Sequence, residues 1–443
     1  MFKQLTKEER YNKIFQFFLC LFVLLIPWQT RWLFYDWPLG IDLWEYGRLS
    51  LYASAIVLFL AGIFFALSHK KELYFSRSQF FYILFIYSLL VSFRSPAPSV
   101  SFYYLFLIYS AALFAYLVRF IPKTNIFRFF LFSGLVQGIL AIHQLINQKV
   151  IGNKWLGMAE HLPSTLGTSV VEFADERMLR AYGSLPHPNV LGGFLFVAIF
   201  FGLYLWIDAY KKTELSLWQR LFRRNLKRSD FWNLIFIVSA MVISTYGILA
   251  SFSRGAILAL LLSLFSLILI NSFNRDWLAV TVVSKYLLIF FMVLLAFNTW
   301  FPGAWSTRVN MGGRLEQKSV TERVDTFDQL GWNNYKNVFF GQGLGMNTLA
   351  TFQRNSNQPV YNVQPIHDIF ILMFAELGLI GAFFIISVVR KIIKSADKID
   401  IMSTSLIMGL IIIGFFDHYL WTSWTGWVLM ALGLVNMYTH EKD

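Results

Sequence analysis

Apolar runs of membrane-crossing length recur along this chain, at about residues 14–34, 49–68, 79–94, 99–119, 126–146, 188–208, 231–250, 255–272, 277–300, 366–389, 401–418 and 420–438. A helix needs roughly 20 apolar residues to cross the hydrocarbon core of a bilayer. Because backbone N–H and C=O groups find no water there, helices are the natural way for such runs to satisfy them. With 57% hydrophobic and only 14% charged residues, a chain of 443 residues has too little polar surface to cover these runs in water. The expected fold is an all-α polytopic membrane protein with about twelve transmembrane helices, organised as one membrane domain over residues 1–443. No internal repeat, heptad run or low-complexity tract divides it. The N-terminus starts basic, but its apolar run lacks a small-residue cleavage site and further spans follow, so it reads as a first helix rather than a removed signal.

The net charge of +13 could point to nucleic acid. The basic residues fall instead in short clusters between apolar runs, which is the pattern that orients a protein in a membrane. If Lys3, Lys7, Arg10 and Lys13 are cytoplasmic, so are Lys70, Lys71 and Arg77, then Arg119, Lys123 and Arg128, then the Lys211–Arg228 cluster, and finally Arg390, Lys391, Lys394 and Lys398. Both termini then lie inside. The opposite face receives two long polar segments, 147–187 and 301–365, and two short turns, Ser251–Arg254 and Asp417–Tyr419. The 301–365 loop is too long for a plain connector. Its Ser319 and Glu322 have capping-box spacing, and Val324, Phe327 and Val338 share a helical face, which predicts a surface helix from about Val320 to Val338.

On that outer face stand Arg180, Arg254 and Arg323, where orientation rules disfavour arginines beside spans. Guanidinium groups clamp phosphate oxygens through paired hydrogen bonds, and Arg323 would lie in the first turn of its helix, where free N–H groups favour anions. A diphosphate would suit them. The alternative for each is a local pair with Glu176, Glu322 or Asp325, or a head-group contact. His367 lies at the start of the 366–389 run, at the water–lipid boundary, where a neutral imidazole can accept a proton from a hydroxyl. It could equally be an interfacial or capping residue.

Asp368 neighbours His367, but adjacent helical residues point to different sides, so it is not assigned as the acid that orients the imidazole. Glu376, nine residues on in the same helix, faces the other way and reads as structural, bonded to a polar group of a neighbouring helix. Pro186-His-Pro-Asn189 opens a span, with Asn189 free to bond backbone groups and His187 read as a turn residue. The glycines of Gly341-Gln-Gly-Leu-Gly345 lack the Lys and Ser/Thr of a phosphate loop, so nucleotide binding is rejected. Metal-ligand spacing is absent, and the one cysteine, Cys20, excludes an intrachain disulfide.

Taken in order, Arg180-Ala-Tyr-Gly, Pro186-His-Pro-Asn189, Ser253-Arg-Gly-Ala256, Glu322-Arg323, Gly341-Gln-Gly-Leu-Gly345, His367 and Ala375-Glu-Leu-Gly-Leu-Ile-Gly381 resemble the O-antigen ligase and polymerase family, over most of the chain. The resemblance implies a glycosyltransferase of the bacterial cytoplasmic membrane. It would take a glycan from undecaprenyl diphosphate on the outer face and give it to an acceptor hydroxyl, of lipid A–core in ligases, of a glycan in polymerases, or of a protein in related oligosaccharyltransferases. Carried over by position, Arg254 and Arg323, and more weakly Arg180, would hold the diphosphate. His367 would deprotonate the acceptor, with inversion at the anomeric carbon and with no cofactor or metal. Asp368 stands where many relatives have an amide or a serine. The ordered motifs favour a ligase. No nucleic-acid partner is expected.

A transporter is the reading from another class, with Glu376 and the outer arginines lining an anion path. It would need polar groups through the membrane and paired Gly/Pro-broken spans, and the sequence shows neither. An inactive assembly scaffold is a third reading. Outer-face aromatics such as Trp300, Phe301, Trp305, Trp332, Tyr335 and Tyr361 fit an interfacial belt better than a set of sugar-stacking platforms.

Overall fold

The computed structural model describes residues 6–69, 79–173, 176–212, 228–303, 305, 334–357, 359–395 and 400–435. Helix α1 (Lys7–Leu25) opens on a capping box between Thr6 and Glu9. A β-hairpin follows, β1 (Arg31–Leu39) and β2 (Asp42–Tyr52), and leads into α2 (Ala53–Ser68). Next come α3 (Gln79–Phe93), α4 (Pro98–Val118) and α5 (Lys123–Asn147), then a second hairpin of β3 (Val170–Phe173) and β4 (Glu176–Leu179). Helices α6 (Pro188–Lys211), α7 (Arg228–Ser251), α8 (Arg254–Phe273) and α9 (Trp277–Trp300) form the middle of the chain. Short α10 (Tyr335–Phe340) and α11 (Asn347–Arg354) precede α12 (Ile369–Ser395), α13 (Ile401–Phe416), α14 (Tyr419–Thr422) and α15 (Trp424–Val435).

Seven of the described helices, α4 to α9 and α12, are long and apolar enough to cross a membrane, while α2, α3, α13 and α15 are apolar but shorter. Their first turns are opened by prolines, which have no N–H to satisfy, or by capping side chains that accept the first free N–H groups. Pro98 and Pro188 begin α4 and α6, Ser253 caps α8, Asp276 caps α9 and Asp400 caps α13. At the centre is α6, nearly all of whose apolar window is buried; it packs on α5, α7, α8, α9, α13 and α15. Small residues let the neighbours α5 and α7 approach each other closely: a Cβ on Gly138 of α5 would press on the Ile243 carbonyl of α7, and one on Gly247 of α7 would lie 3.2 Å from the Gly138 Cα.

The fold differs from the expectation in two places. The first helix does not run to residue 34. Pro27 removes a backbone donor just past the helix end, and Trp32-Leu-Phe-Tyr35 favours a strand, so the predominantly helical fold expected carries two short hairpins beside its helices. Secondly, α12 is not continuous. Gly378 sits at φ 67° and ψ −175°, a conformation open essentially to glycine alone, and breaks the helix. Most of the surface helix expected over 320–338 lies outside the described residues, and residues 335–338 belong to α10.

Candidate active site

The polar side chains of interest gather where α5, α7 and α13 end and α6, α8 and α12 begin. Arg180 is held there by a loop whose backbone groups are individually matched. Its N–H reaches the Ser169 carbonyl at 3.2 Å and that of Ala181 the Ala250 carbonyl at 2.9 Å. Two glutamines one heptad apart on α5 take the rest: Gln144 Oε1 accepts from Tyr182 and Gly183 N–H at 2.9 and 2.8 Å, and Gln137 Oε1 from Ser184 N–H at 2.7 Å. Both amides are almost wholly buried, so the loop has no water to compete for these bonds and its course is fixed.

Arg180 is itself buried, at 6% exposure. Its Nε donates to the Ser251 carbonyl at 2.9 Å, and a terminal nitrogen donates to Asn189 Oδ1. Asn189 in turn donates through Nδ2 to Asp417. The amide thus joins a cation to an anion, which also fixes which end of it is oxygen. Asp417 is 8% exposed. Burial alone would raise its carboxyl, but His418, His367, His187 and the Asn189 amide outweigh burial and hold it below the usual range. Beside Asp417, His418 meets the hydroxyl of Thr422 at 2.8 Å, and burial lowers this imidazole against the pull of Asp417.

His187 caps α6, because its Nδ1 accepts the Asn189 N–H at 3.1 Å while its Nε2 meets Ser169 Oγ at 3.0 Å. Accepting at Nδ1 requires that nitrogen to be unprotonated, so the proton of the neutral ring is on Nε2 and faces Ser169. Burial first, and then the nearby Arg180 guanidinium, push this imidazole down to about 3. Asn189, expected to bond backbone groups, instead uses its side chain as the Arg180–Asp417 bridge, and the imidazole takes the capping role.

His367 is half-buried, two residues before α12, with its ring centre 5.2 Å from that of His418 at an angle of 75°. Asp368 is the cap of α12, accepting from Phe370 and Ile371 N–H at 2.8 and 3.1 Å. Glu376 is 2% exposed and receives the Trp421 indole N–H at 2.8 Å and the backbone N–H groups of Gly345 and Asn347. The carbonyls freed by the break at Gly378 are matched by the glycine loop. Gln342 and Gly343 N–H reach the Ala375 and Glu376 carbonyls at 2.9 and 3.0 Å, and the Tyr87 hydroxyl reaches that of Leu377 at 2.6 Å. Gly341-Gln-Gly-Leu-Gly345 is therefore the seat of a broken helix.

The structure thus brings Arg180, Asn189 and His367 to one polar cluster, with Asp368 and Glu376 in the supporting backbone. Arg254 stands half-buried at the first position of α8, three residues past the Ser251 carbonyl that holds Arg180. Arg323 lies outside the described residues. Sequence reasoning noted the Asp417–Tyr419 turn without placing Asp417 and His418 in the site. Their signal was an acid–imidazole pair set between two apolar runs. Among the described residues no group of three or more His, Cys, Asp or Glu side chains is placed to hold a metal ion. Residues 239–386 match the family model described as O-antigen ligase. No curated protein sequence matches the chain at a significant level.

Proposed function

We propose that this chain, an O-antigen ligase family protein over residues 239–386, transfers a glycan from undecaprenyl diphosphate to an acceptor hydroxyl at the helix ends where His367 lies. The family carries the coarser statement, a membrane enzyme of glycan ligase or polymerase type. The observation that supports the finer one is the gathering of His367, His418 and Asp417 with the Asn189–Arg180 bridge at those helix ends.

In this reading the acceptor oxygen attacks the anomeric carbon as its proton passes to His367. The bond from that carbon to the diphosphate breaks, the electron pair leaves with the phosphate oxygen, and the configuration inverts. Arg254, Arg323 and Arg180 hold the leaving group. Cations that grip it more tightly as the bond breaks lower the barrier rather than only tightening substrate binding. Asn189 keeps Arg180 oriented before substrate arrives, and Asp417 balances its charge. Lipid A–core is the favoured acceptor, with another glycan or a protein hydroxyl as alternatives, and the site faces the periplasm or exterior of the bacterial cytoplasmic membrane.

The break in α12 is the one observation that favours a transporter, since broken spans line many transport paths. Its freed carbonyls and its buried carboxylate are already matched by Gln342, Gly343, Tyr87, Trp421, Gly345 and Asn347, which favours a structural break. The test is transfer of a radiolabelled lipid-diphosphate glycan in proteoliposomes, comparing wild type with His367→Ala and Arg323→Ala at matched folded amounts. Loss of transfer in both variants is expected, and the acceptor labelled by the wild type identifies the branch of the family. Equal transfer by all three proteins would rule out the His367 mechanism, and labelled substrate crossing the bilayer without transfer would favour the transporter.

A further inference from the structure

The β1–β2 hairpin lies outside the stretch that matches the family model, yet it reaches the histidines. The Trp44 indole N–H donates to Thr348 Oγ1 at 2.9 Å in a buried contact. Thr348 follows Asn347, whose Oδ1 accepts the N–H of Ile366 at 3.2 Å, one residue ahead of His367. The hairpin is therefore tied to the backbone that presents the candidate base. Gly47 is part of this tie, because a Cβ there would collide with the Trp44 ring.

Two residues beyond Trp44 in β2, Tyr46 brings its ring centre to 5.9 Å from that of His418, at 77°. His418 makes the same kind of edge contact with His367, at 5.2 Å and 75°. Tyr46, His418 and His367 are thus a continuous row of three rings, in the arrangement that ring quadrupoles favour. The Tyr46 hydroxyl also feels the site. Burial first, and then the charges of Glu45 and Asp417, raise its ionisation well above the usual value.

The arginine side of the cluster is reached through Asp417 and Asn189, whereas Tyr46 is reached through His418. In an inverting displacement the attacking oxygen and the leaving diphosphate lie on opposite sides of the anomeric carbon, so the group that extends the imidazole row belongs with the attacking oxygen. We infer that the hairpin of residues 31–52 is the acceptor-side wall of the site, and that Tyr46 is a specificity-determining residue that orients a carbohydrate hydroxyl toward His367. This rests on the glycosyl-transfer reading above. The ring supplies an apolar edge for a sugar face, and the hydroxyl supplies a donor and an acceptor for sugar hydroxyls.

Two measurements on the full-length protein in proteoliposomes test this inference. The first compares wild type, Tyr46→Ala and Tyr46→Phe in transfer to purified lipid A–core, varying acceptor and donor separately. Tyr46→Ala is expected to raise the acceptor KM about tenfold, with the donor KM changed less than about twofold, and Tyr46→Phe to recover part of the loss. An unchanged acceptor KM, or equal rises in both KM values, would overturn the specificity role. The second follows modification of His367 and His418 by diethyl pyrocarbonate, read by peptide mass spectrometry, and needs no turnover. Faster modification of both histidines in Tyr46→Ala is expected if the hairpin walls them, and an unchanged rate would overturn the wall. If the wild type transfers nothing to any acceptor, the glycosyl-transfer reading fails and the acceptor role of Tyr46 with it, while the modification rates still decide whether the hairpin covers the histidines. Should Tyr46→Ala not fold, the same comparisons are made with Tyr46→Phe and Tyr46→Leu.

Discussion

A buried amide that joins Arg180 to Asp417 is an expensive arrangement unless all its partners are present, because removing one leaves a charge in a site with little water. Asp417→Asn keeps the shape but removes the anion. It is expected to lower the turnover number on the order of 100-fold, the effect of misplacing reacting groups by about 1 Å, with a smaller change in donor KM. A kcat within twofold of wild type would show that Asp417 has no part in positioning. The same cluster gives the protein a pH dependence. His187 is pushed down to about 3 by burial and by Arg180, and burial also lowers His418. Below roughly pH 6.5 the unfolded chain takes up protons on these imidazoles that the folded site refuses, so stability falls as the pH drops from there, for His187 down to about 3, and is flat above. Each imidazole contributes a slope of up to about 1.4 kcal/mol per pH unit. Asp417 acts later: its ionised form stabilises the fold fully above the unfolded carboxyl value of about 3.9, and that contribution is lost as the pH drops through its lower folded value. Thermal unfolding in detergent at pH 7, 6 and 5 should show a falling midpoint, with a shallower fall in His187→Gln. A midpoint that stays constant would contradict the neutral, buried state of His187.

At the scale of elements, the broken helix and the glycine loop form one unit. A Cβ at Gly378 would press on the Phe339 carbonyl, and one at Gly341 would press on that of Glu376, so each glycine is required by the backbone of the segment it faces. Gly378→Ala combines strain with this collision and is expected to destabilise the protein by on the order of 3 kcal/mol. The measurement is the thermal midpoint of the purified variant, and a wild-type value would mean that the break relaxes freely. In this unit the N–H groups of Gln342 and Gly343 are directed at the carbonyls of α12, which gives the glycine run a structural role. The apolar run over 366–389 was legible from hydropathy, but the break within it was not. Glycine in an apolar helix is common at close helix contacts, and only the facing backbone of residues 339–343 distinguishes the break at Gly378 from such a contact.

For the whole molecule, alternation of the spans together with the basic clusters predicts an orientation that can be tested without any substrate. In a Cys20→Ser background, Asn147→Cys and Gly303→Cys should react with a membrane-impermeant maleimide from outside the cell, and Lys212→Cys and Asn274→Cys only after permeabilisation. The latter two lie beside Lys211 and Asp276, whose ion pair at 3.2 Å joins the ends of α6 and α9 on one side. Labelling of all four from outside would overturn the orientation and, with it, the face assigned to His367.

By itself the sequence determined the environment and the connectivity. Hydropathy over about 20 residues is a local quantity set by the bilayer, and it marked the runs that become α2 to α9, α12, α13 and α15. It also put Arg180, Arg254 and His367 in segments that the positive-inside bias assigns to one face. What only the tertiary structure decided were the relations between distant residues. Asn189 and Asp417, 228 positions apart, meet in one hydrogen bond, and Trp44 finds Thr348 from 304 positions away. Nor could local pattern show that the 14–34 run would end at Leu25 and turn into a hairpin, since its aromatic residues suit a helix in lipid as well as a strand. The physical reason is common to these cases: a buried polar group is defined by the partner that replaces its water, and that partner is chosen by packing rather than by sequence neighbours.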